Sequence, residues 1–420
     1  MTLEMLYAYS FCFVLLLTHH SVTGRFPIVF VFEVVPAMCD RGLPNYIKDV
    51  IDQAVETQKD CDVVFASNFK SCANLATDIN KIDSIRTYDI DEFASNRTIE
   101  FKSIAKRMFS SDGGFELWIT SALRFFYLED MMAHYRFSEM LHVESDNMLY
   151  GKISSMLPAL RSNYVGLAAT PANAHVTYIT ASVLWVQNAS ALSGFNDFMF
   201  GLGANQSEWK KYTAYLRPHF CCKHDGVEPD ADGQGIMPFA INEMSIMAYY
   251  RYLFPDRFKL FPVLPLRDYK RYKYTINLNL YTSSGTETGG LTGEGIWDPG
   301  SWGQFLGGIA KSPRNSKGFS DPTHIPGQAM RVRNCRPAML CANATWFHSE
   351  MKSTGVNSES SSAAVNTENK GEVCRTAPFV RCLEGQPGDE RWTPLWNLHI
   401  HSKRTKEFKS IICPCSSSGD

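Results

Sequence analysis

Two apolar, β-rich runs separated by one amphipathic stretch constrain this chain more than any other feature in it. PIVFVFEVV (residues 27–35) and CDVVFASN (residues 61–68) read as buried strands, because almost nothing polar interrupts them. Between them, LPNYIKDVIDQAVETQ sets Tyr46, Ile47, Val50, Ile51 and Val55 along one side of a helix. A strand–helix–strand unit favours parallel neighbours in one sheet, with the helix on a face. The alternation continues. Residues 113–137 read as a helix, MLHV and residues 176–186 as strands, and NASALSGFNDFMFG as a helix capped by Asn188 or Ser190 and ended by Gly201. A helix over residues 241–254 and a short strand over 258–265 follow. The predicted fold class is α/β: a mostly parallel central sheet flanked by helices, then an irregular, cysteine-containing C-terminal region.

The later part breaks the pattern. SSGTETGGLTGEG is a Gly/Thr loop, and STGVNSESSSAAVNTENKGE (residues 353–372) is low-complexity sequence that favours disorder. The 420 residues suffice for one large domain or two smaller ones. A net charge of -2 argues against a nucleic-acid binder driven by a basic surface. An anionic ligand would have to be captured locally, by a metal or a few placed cations.

The N-terminus and the cysteines speak to compartment. YAYSFCFVLLL (residues 7–17) followed by THHSVTG fits a secretory signal and is too short to span a bilayer, although MTLEM lacks Lys and Arg. Asn-x-Ser/Thr sequons begin at Asn96, Asn188, Asn205 and Asn343. The 12 cysteines show no paired CxxC spacing, so disulfides are favoured over zinc. With Cys12 in the signal the remainder is odd, and at least one thiol should be free or bonded to another chain. The expected setting is the secretory-pathway lumen (Golgi or ER) or the exterior, with no stable membrane span.

LHVESDNMLY (residues 141–150) places Glu144 and Asp146 where a strand ends. In an open α/β sheet, ligands gather at the carboxyl ends of strands. At strand spacing the two acids point the same way, opposite Val143, and paired carboxylates suit a hard divalent cation such as Mg²⁺ or Mn²⁺. An acidic loop paired with surface Lys or Arg is the plainer reading of Glu-x-Asp. NLHIHSK (residues 397–403), read with period 2, sets Asn397, His399, His401 and Lys403 on one face. Two imidazoles can complete a cation's shell and Lys403 can neutralise phosphate oxygens; a polar edge strand is the alternative. WDPGSWGQFLGGIAKSP brings Asp298 and Gln304, which can accept from sugar hydroxyls, and Gly307 and Gly308, which let a backbone approach a ligand. A Gly-rich turn explains it equally simply. Arg124 suits either a donor contact or a structural salt bridge. Glu243 opens a helix, where it favours the N-terminus or serves as a base. CCKHDGVEPDADG (residues 221–233) reads as loop chemistry with a disulfide before it reads as a second metal site. There is no GxSxG elbow and no P-loop.

Taken in order, LWITSALRFFYLED, HVESDNMLY, WDPGSWGQFLGG and NLHIHSK resemble the GT-A (nucleotide-diphospho-sugar transferase) glycosyltransferase-like proteins, which carry a DxD-type acidic motif. That resemblance implies a metal-dependent glycosyltransferase moving a sugar from a nucleotide-diphosphate donor to a glycan, glycoprotein or glycolipid acceptor, with Mn²⁺ or Mg²⁺ as cofactor. It further implies Asp146 as principal metal ligand with Glu144 and His399 or His401, and Lys403 at the diphosphate. Arg124, Glu144, Gly307 and Gly308 would line the donor site, and Asp298 and Gln304 would face the sugar or acceptor. The expected division is a signal at 1–24, a catalytic GT-A-like domain at 25–334, a Cys/Ser-rich insert at 335–390 and a tail at 391–412 closing the active site. Glu-Ser-Asp in place of Asp-x-Asp, and Pro299 after Asp298, depart from the pattern. They motivate the alternative of a secreted, catalytically inactive carbohydrate-binding or scaffold protein on the same fold.

Overall fold

A computed structural model of the chain describes residues 24–109, 115–173, 175–220, 241–264, 295–307, 326–327, 329–330, 335–343, 374–382 and 392–413. The signal (apart from residue 24), the Cys221–Gly233 cluster, Gly308 and the serine-rich stretch lie outside these residues.

The strands of the main sheet are β1 (Phe26–Phe32), β2 (Cys61–Ser67), β3 (Arg86–Asp89), β4 (Met140–Val143), β6 (Leu167–Pro171), β7 (Ile179–Val186) and β8 (Phe258–Leu260). A short β5 (Asn147–Leu149) lies between β4 and β6 in the chain. The seven-stranded order is β3-β2-β1-β4-β7-β6-β8. β1 pairs in parallel with β2 and β4, β2 with β3, and β6 with β8; only β7 runs against its neighbours. The sheet is therefore mostly parallel, as the strand–helix alternation implies.

The longer helices are α1 (Asn45–Thr57), α2 (Asn96–Met108), α3 (Phe115–Tyr135), α4 (Ile153–Asn163), α5 (Ala189–Ala204), α6 (Gln206–Phe220) and α7 (Glu243–Leu253). They cover both faces, which is why β1 is apolar at nearly every position. Ile28 and Phe30 pack into one core with Ile47, Val50 and Ile51 of α1, while Val29 and Val31 pack into the other with Phe101, Phe126 and Phe195. The period of 2 in side-chain direction divides one strand between two cores.

Helix α5 begins where expected, with the Asn188 side chain accepting from the Ala191 amide. It does not stop at Gly201 but runs to Ala204, because Leu202 is buried and that contact outweighs the roughly 1 kcal/mol that glycine costs in a helix.

The C-terminal region adds β9 (Arg336–Asn343) and β10 (Cys374–Arg381) as an antiparallel pair, closed at one end by the Cys335–Cys382 disulfide. Cys341 is also disulfide-bonded, and Cys39–Cys72 ties the segment after β1 to the one after β2. Among the described residues Cys61 is the free thiol, buried in the core. Last come β11 (Thr393–Pro394), β12 (Asn397–His399) and β13 (Ile412–Cys413). β11 and β13 pair with β10, whereas β12 leaves that sheet and pairs with β5, Asn397 opposite Leu149 and His399 opposite Asn147. That pairing carries the tail back to the carboxyl end of β4.

Candidate active site

The strand order reverses at β1: β2 and β3 lie on one side of it and β4 on the other. Such a reversal opens a crevice at the carboxyl ends of the strands, and Glu144 and Asp146 follow β4 at that point. The two acids do not lie on a continuing strand. β4 ends at Val143, and a turn closed by the Asn147 amide on the Glu144 carbonyl (3.0 Å) carries them. They still converge on one side, because the turn folds them toward the tail.

The tail meets them through a main-chain bond and a side-chain bond. The Ile400 amide donates to the Asp146 carbonyl at 2.8 Å, and Asn397 Nδ2 donates to Asn147 Oδ1 at 2.9 Å. β12 ends at His399, so the period-2 face extends only over Asn397 and His399; a turn then delivers His401 and Lys403. Lys403 has φ of 60°, the left-handed region rarely used by a residue with a side chain. Further along, Thr405 Oγ1 reaches Asp49 (3.1 Å), Lys409 reaches Asp49 (3.0 Å) and Asp52 (3.1 Å), and the Ser410 amide reaches Gln53 Oε1 (2.9 Å). These contacts anchor the tail on α1.

His399 Nε2 lies 3.1 Å from Asp146 Oδ1 and 3.5 Å from Glu144 Oε2. Lys403 Nζ is paired with Asp146 Oδ2, and Arg124 Nη1 with Glu144 Oε1 at 2.5 Å. Arg124 Nη2 also faces Glu243 Oε1 at 3.5 Å. Burial works against charge on Asp146, but His399 and Lys403 outweigh it and hold the carboxyl well below the usual carboxylate range. Burial opposes the Glu144 charge too, and Arg124, then His399, keep that carboxyl below its ordinary value. His399 is the mirror case: burial disfavours its charge, yet Asp146 and Glu144 raise it above the ordinary histidine value. Glu243 differs, pushed up to about 7 by burial against the pull of Arg124.

Ligand atoms of Glu144, Asp146 and His399 all lie within 4.8 Å of one another. Two carboxylates and one imidazole form an oxygen-rich donor set of the kind that Mn²⁺ or Mg²⁺ accepts, so the residues fit such a cation. His401 is not in that group. Its ring packs edge-on against His399, centroids 4.3 Å apart, and its Nδ1 faces Gln304 Nε2 at 3.4 Å. A cation takes histidine in its neutral form, so one bound here would displace the His399 proton. Affinity for Mn²⁺ should therefore rise as pH climbs from about 6 to 8, read by calorimetry. A flat profile would remove His399 from the ligand set.

Asp298 stands differently from its sequence-based expectation. It is fully buried, and its carboxylate accepts from five backbone amides: Gly300, Ser301 and Trp302 on Oδ1, Gly303 and His399 on Oδ2, at 2.8–3.1 Å. Burial raises its carboxyl from the ordinary value, and the amide donors pull the other way. Both carboxylate oxygens are taken up by main-chain amides; these are the contacts of a brace holding His399. Two glycines make this packing possible. A Cβ on Gly300 (φ 95°) would sit 2.8 Å from His401 Nε2 and 3.1 Å from His399 Nδ1, and one on Gly303 would sit 2.4 Å from the His399 carbonyl oxygen. Gly307 (φ 94°) gives its carbonyl to Arg404, not to open space.

The structure thus gathers Glu144, Asp146, His399, Lys403 and Arg124, with His401 and Gln304 at the rim. Two participants carry no warning in the linear sequence. Tyr46 lies under Lys403, its ring centroid 5.1 Å from Nζ, and Asn147 locks the turn to Asn397 and to the Ser182 carbonyl.

No family model matches the sequence, and no curated protein matches it. Among solved structures the chain is similar to the apo form of mouse xyloside xylosyltransferase 1, at 8% identity and TM-score 0.36, covering 64% of this chain and 96% of that one. It is also similar to the PaToxG glycosyltransferase (8%, 0.31; 55% and 68% covered) and to apo GlyE, a glycosyltransferase of Streptococcus pneumoniae TIGR4 (13%, 0.25; 60% and 49%). Likenesses this distant establish neither a family nor an activity.

Proposed function

We propose that the chain is a metal-dependent glycosyltransferase that moves a sugar from a nucleotide-diphosphate donor to a glycan, glycoprotein or glycolipid acceptor. The observation that carries this reading is the convergence, across 257 positions of sequence, of an acid pair, an imidazole and an ammonium at the crevice beside β4. Asp146, Glu144 and His399 would hold Mn²⁺ or Mg²⁺. The cation, when bound, supplies positive charge against the negative charge that grows on the departing diphosphate.

The chain's own residues do the rest. Lys403 adds a second positive charge for the diphosphate, and Arg124 keeps Glu144 ionised and aimed. Asp298 acts as a positioning residue through the His399 amide, which replaces the sugar-facing role that the family resemblance suggests. Gln304, at the rim beside His401, is the group of that segment with capacity left for a sugar hydroxyl. The disulfides favour the oxidising lumen of the secretory pathway. Among the described residues no helix is long and apolar enough to cross a membrane.

One observation favours the inactive-scaffold alternative: Lys403 pairs directly with Asp146 and can itself neutralise it. Incubating the purified full chain with Mn²⁺ and a panel of nucleotide sugars separates the two. Donor hydrolysis or transfer, with thermal stabilisation by UDP or GDP plus Mn²⁺, is the expected result. No turnover and no nucleotide-diphosphate binding across the panel would sink the enzyme reading.

A further inference from the structure

Every oxygen of the acid pair already has a partner. Glu144 Oε1 is held by Arg124 and Oε2 faces His399; Asp146 Oδ1 faces His399 and Oδ2 is held by Lys403. A divalent cation entering this cluster would compete with the positive charge of these three groups for the acid pair. Arg124 is a poor candidate to yield, since its side chain is 9% exposed and is also engaged by Glu243 and by the Phe125 ring. His399 can give up its proton but not its place: it is 12% exposed and its backbone amide is pinned by Asp298.

Lys403 is different in three respects. Its side chain is 44% exposed, so its ammonium can regain water on leaving. It ends a flexible four-carbon stem, in contrast to the planar fork of Arg124. The Tyr46 ring, 5.1 Å from Nζ, offers a second surface that favours a cation. The left-handed backbone at Lys403 is a local cost that this tail carries while setting the ammonium on Asp146.

Resting on the glycosyltransferase reading, we propose that Lys403 is the resident counter-cation of Asp146, occupying the place that a divalent cation takes on binding. Displacement frees the ammonium for an anion that arrives with the cation, and a diphosphate has the matching charge. Cation and diphosphate binding are then coupled through one side chain, and the coupling is reciprocal. The free protein keeps its acid pair neutralised without metal and binds the bare cation weakly.

The test is calorimetry on the full chain with Mn²⁺ alone, then with Mn²⁺ in the presence of UDP or GDP. Lys403→Met should bind Mn²⁺ roughly tenfold more tightly than wild type when nucleotide is absent, because a competing positive charge is gone. The gain in Mn²⁺ affinity on adding nucleotide should be smaller in Lys403→Met than in wild type. Lys403→Arg, which keeps the charge, should stay near wild type without nucleotide and controls for lost packing. Mn²⁺ affinity that is unchanged or weaker in Lys403→Met overturns the proposal and leaves the enzyme reading standing. Tighter Mn²⁺ binding in Lys403→Met, with no nucleotide effect on either protein, supports the displacement and counts against glycosyl transfer. Absence of Mn²⁺ binding in both proteins defeats both.

Discussion

Replacing Asp298 by Asn should lower the unfolding free energy by about 2–4 kcal/mol, although the two side chains have nearly the same shape. The reason lies in what surrounds it. Gly300, Ser301 and Trp302 donate to Oδ1, and Gly303 and His399 donate to Oδ2. An amide side chain has one acceptor and one donor end, so whichever way Asn sits, an NH₂ faces buried N–H groups. Placing its oxygen at the Oδ1 position keeps three contacts and sets donor against donor at Gly303 and at His399.

The same substitution separates two roles for Asp298. A residue that touched sugar would lose turnover and keep stability. A brace loses stability first, and loses nucleotide-diphosphate binding along with it, because the broken contact is the one that holds His399 beside the acid pair. Urea unfolding followed by tryptophan fluorescence reads the first quantity, since Trp297, Trp302 and Trp396 are buried around this segment. Wild-type stability in Asp298→Asn, with turnover lost, would return Asp298 to the catalytic side. Asp298→Ala removes all five acceptor contacts and should cost at least as much.

The α/β architecture was legible in the sequence because buried parallel strands leave apolar runs and their covering helices leave a 3.6-residue period. PIVFVFEVV and LPNYIKDVIDQAVETQ are both of this kind, and they became β1 and α1. The acid pair and the tail were legible as residue types but not in their local geometry. Period-2 reading placed Glu144 with Asp146, and His399 with His401 and Lys403, on strand faces; the structure reaches a similar gathering through two turns. Those turns depend on the Ile400 amide meeting the Asp146 carbonyl, a long-range bond with no local trace. Tyr46 and Asn147 were missed for the same reason, as their partners lie in the tail. Asp298 was a different kind of miss. DPGSW carries an Asx-turn signal, an Asp whose carboxylate accepts from amides two to four residues later, and reading that chemistry would have marked Asp298 as a backbone organiser.

Asp146→Asn should differ from Asp298→Asn in its balance, with kcat/KM falling by about a thousandfold and unfolding free energy by only about 1–2 kcal/mol. What Asp146 gives the fold is its main-chain carbonyl, bonded to the Ile400 amide at 2.8 Å, and any residue supplies that. β5 and β12 stay paired through Met148 and Leu398. The lost carboxylate charge had two partners and one adversary. Lys403 is well exposed and is resolvated when freed, His399 retains Glu144 and can shed its proton, and the repulsion between Glu144 and Asp146 disappears. These effects offset part of what the fold loses with the charge. They offset nothing for a cation, which loses one of its two carboxylates and much of its affinity. Thermal shift with UDP or GDP and Mn²⁺ should stabilise wild type and leave Asp146→Asn unmoved. A strong drop in the melting temperature of ligand-free Asp146→Asn would mean that the acid pair serves the fold, and persistence of Mn²⁺-dependent nucleotide binding in it would place the cation elsewhere.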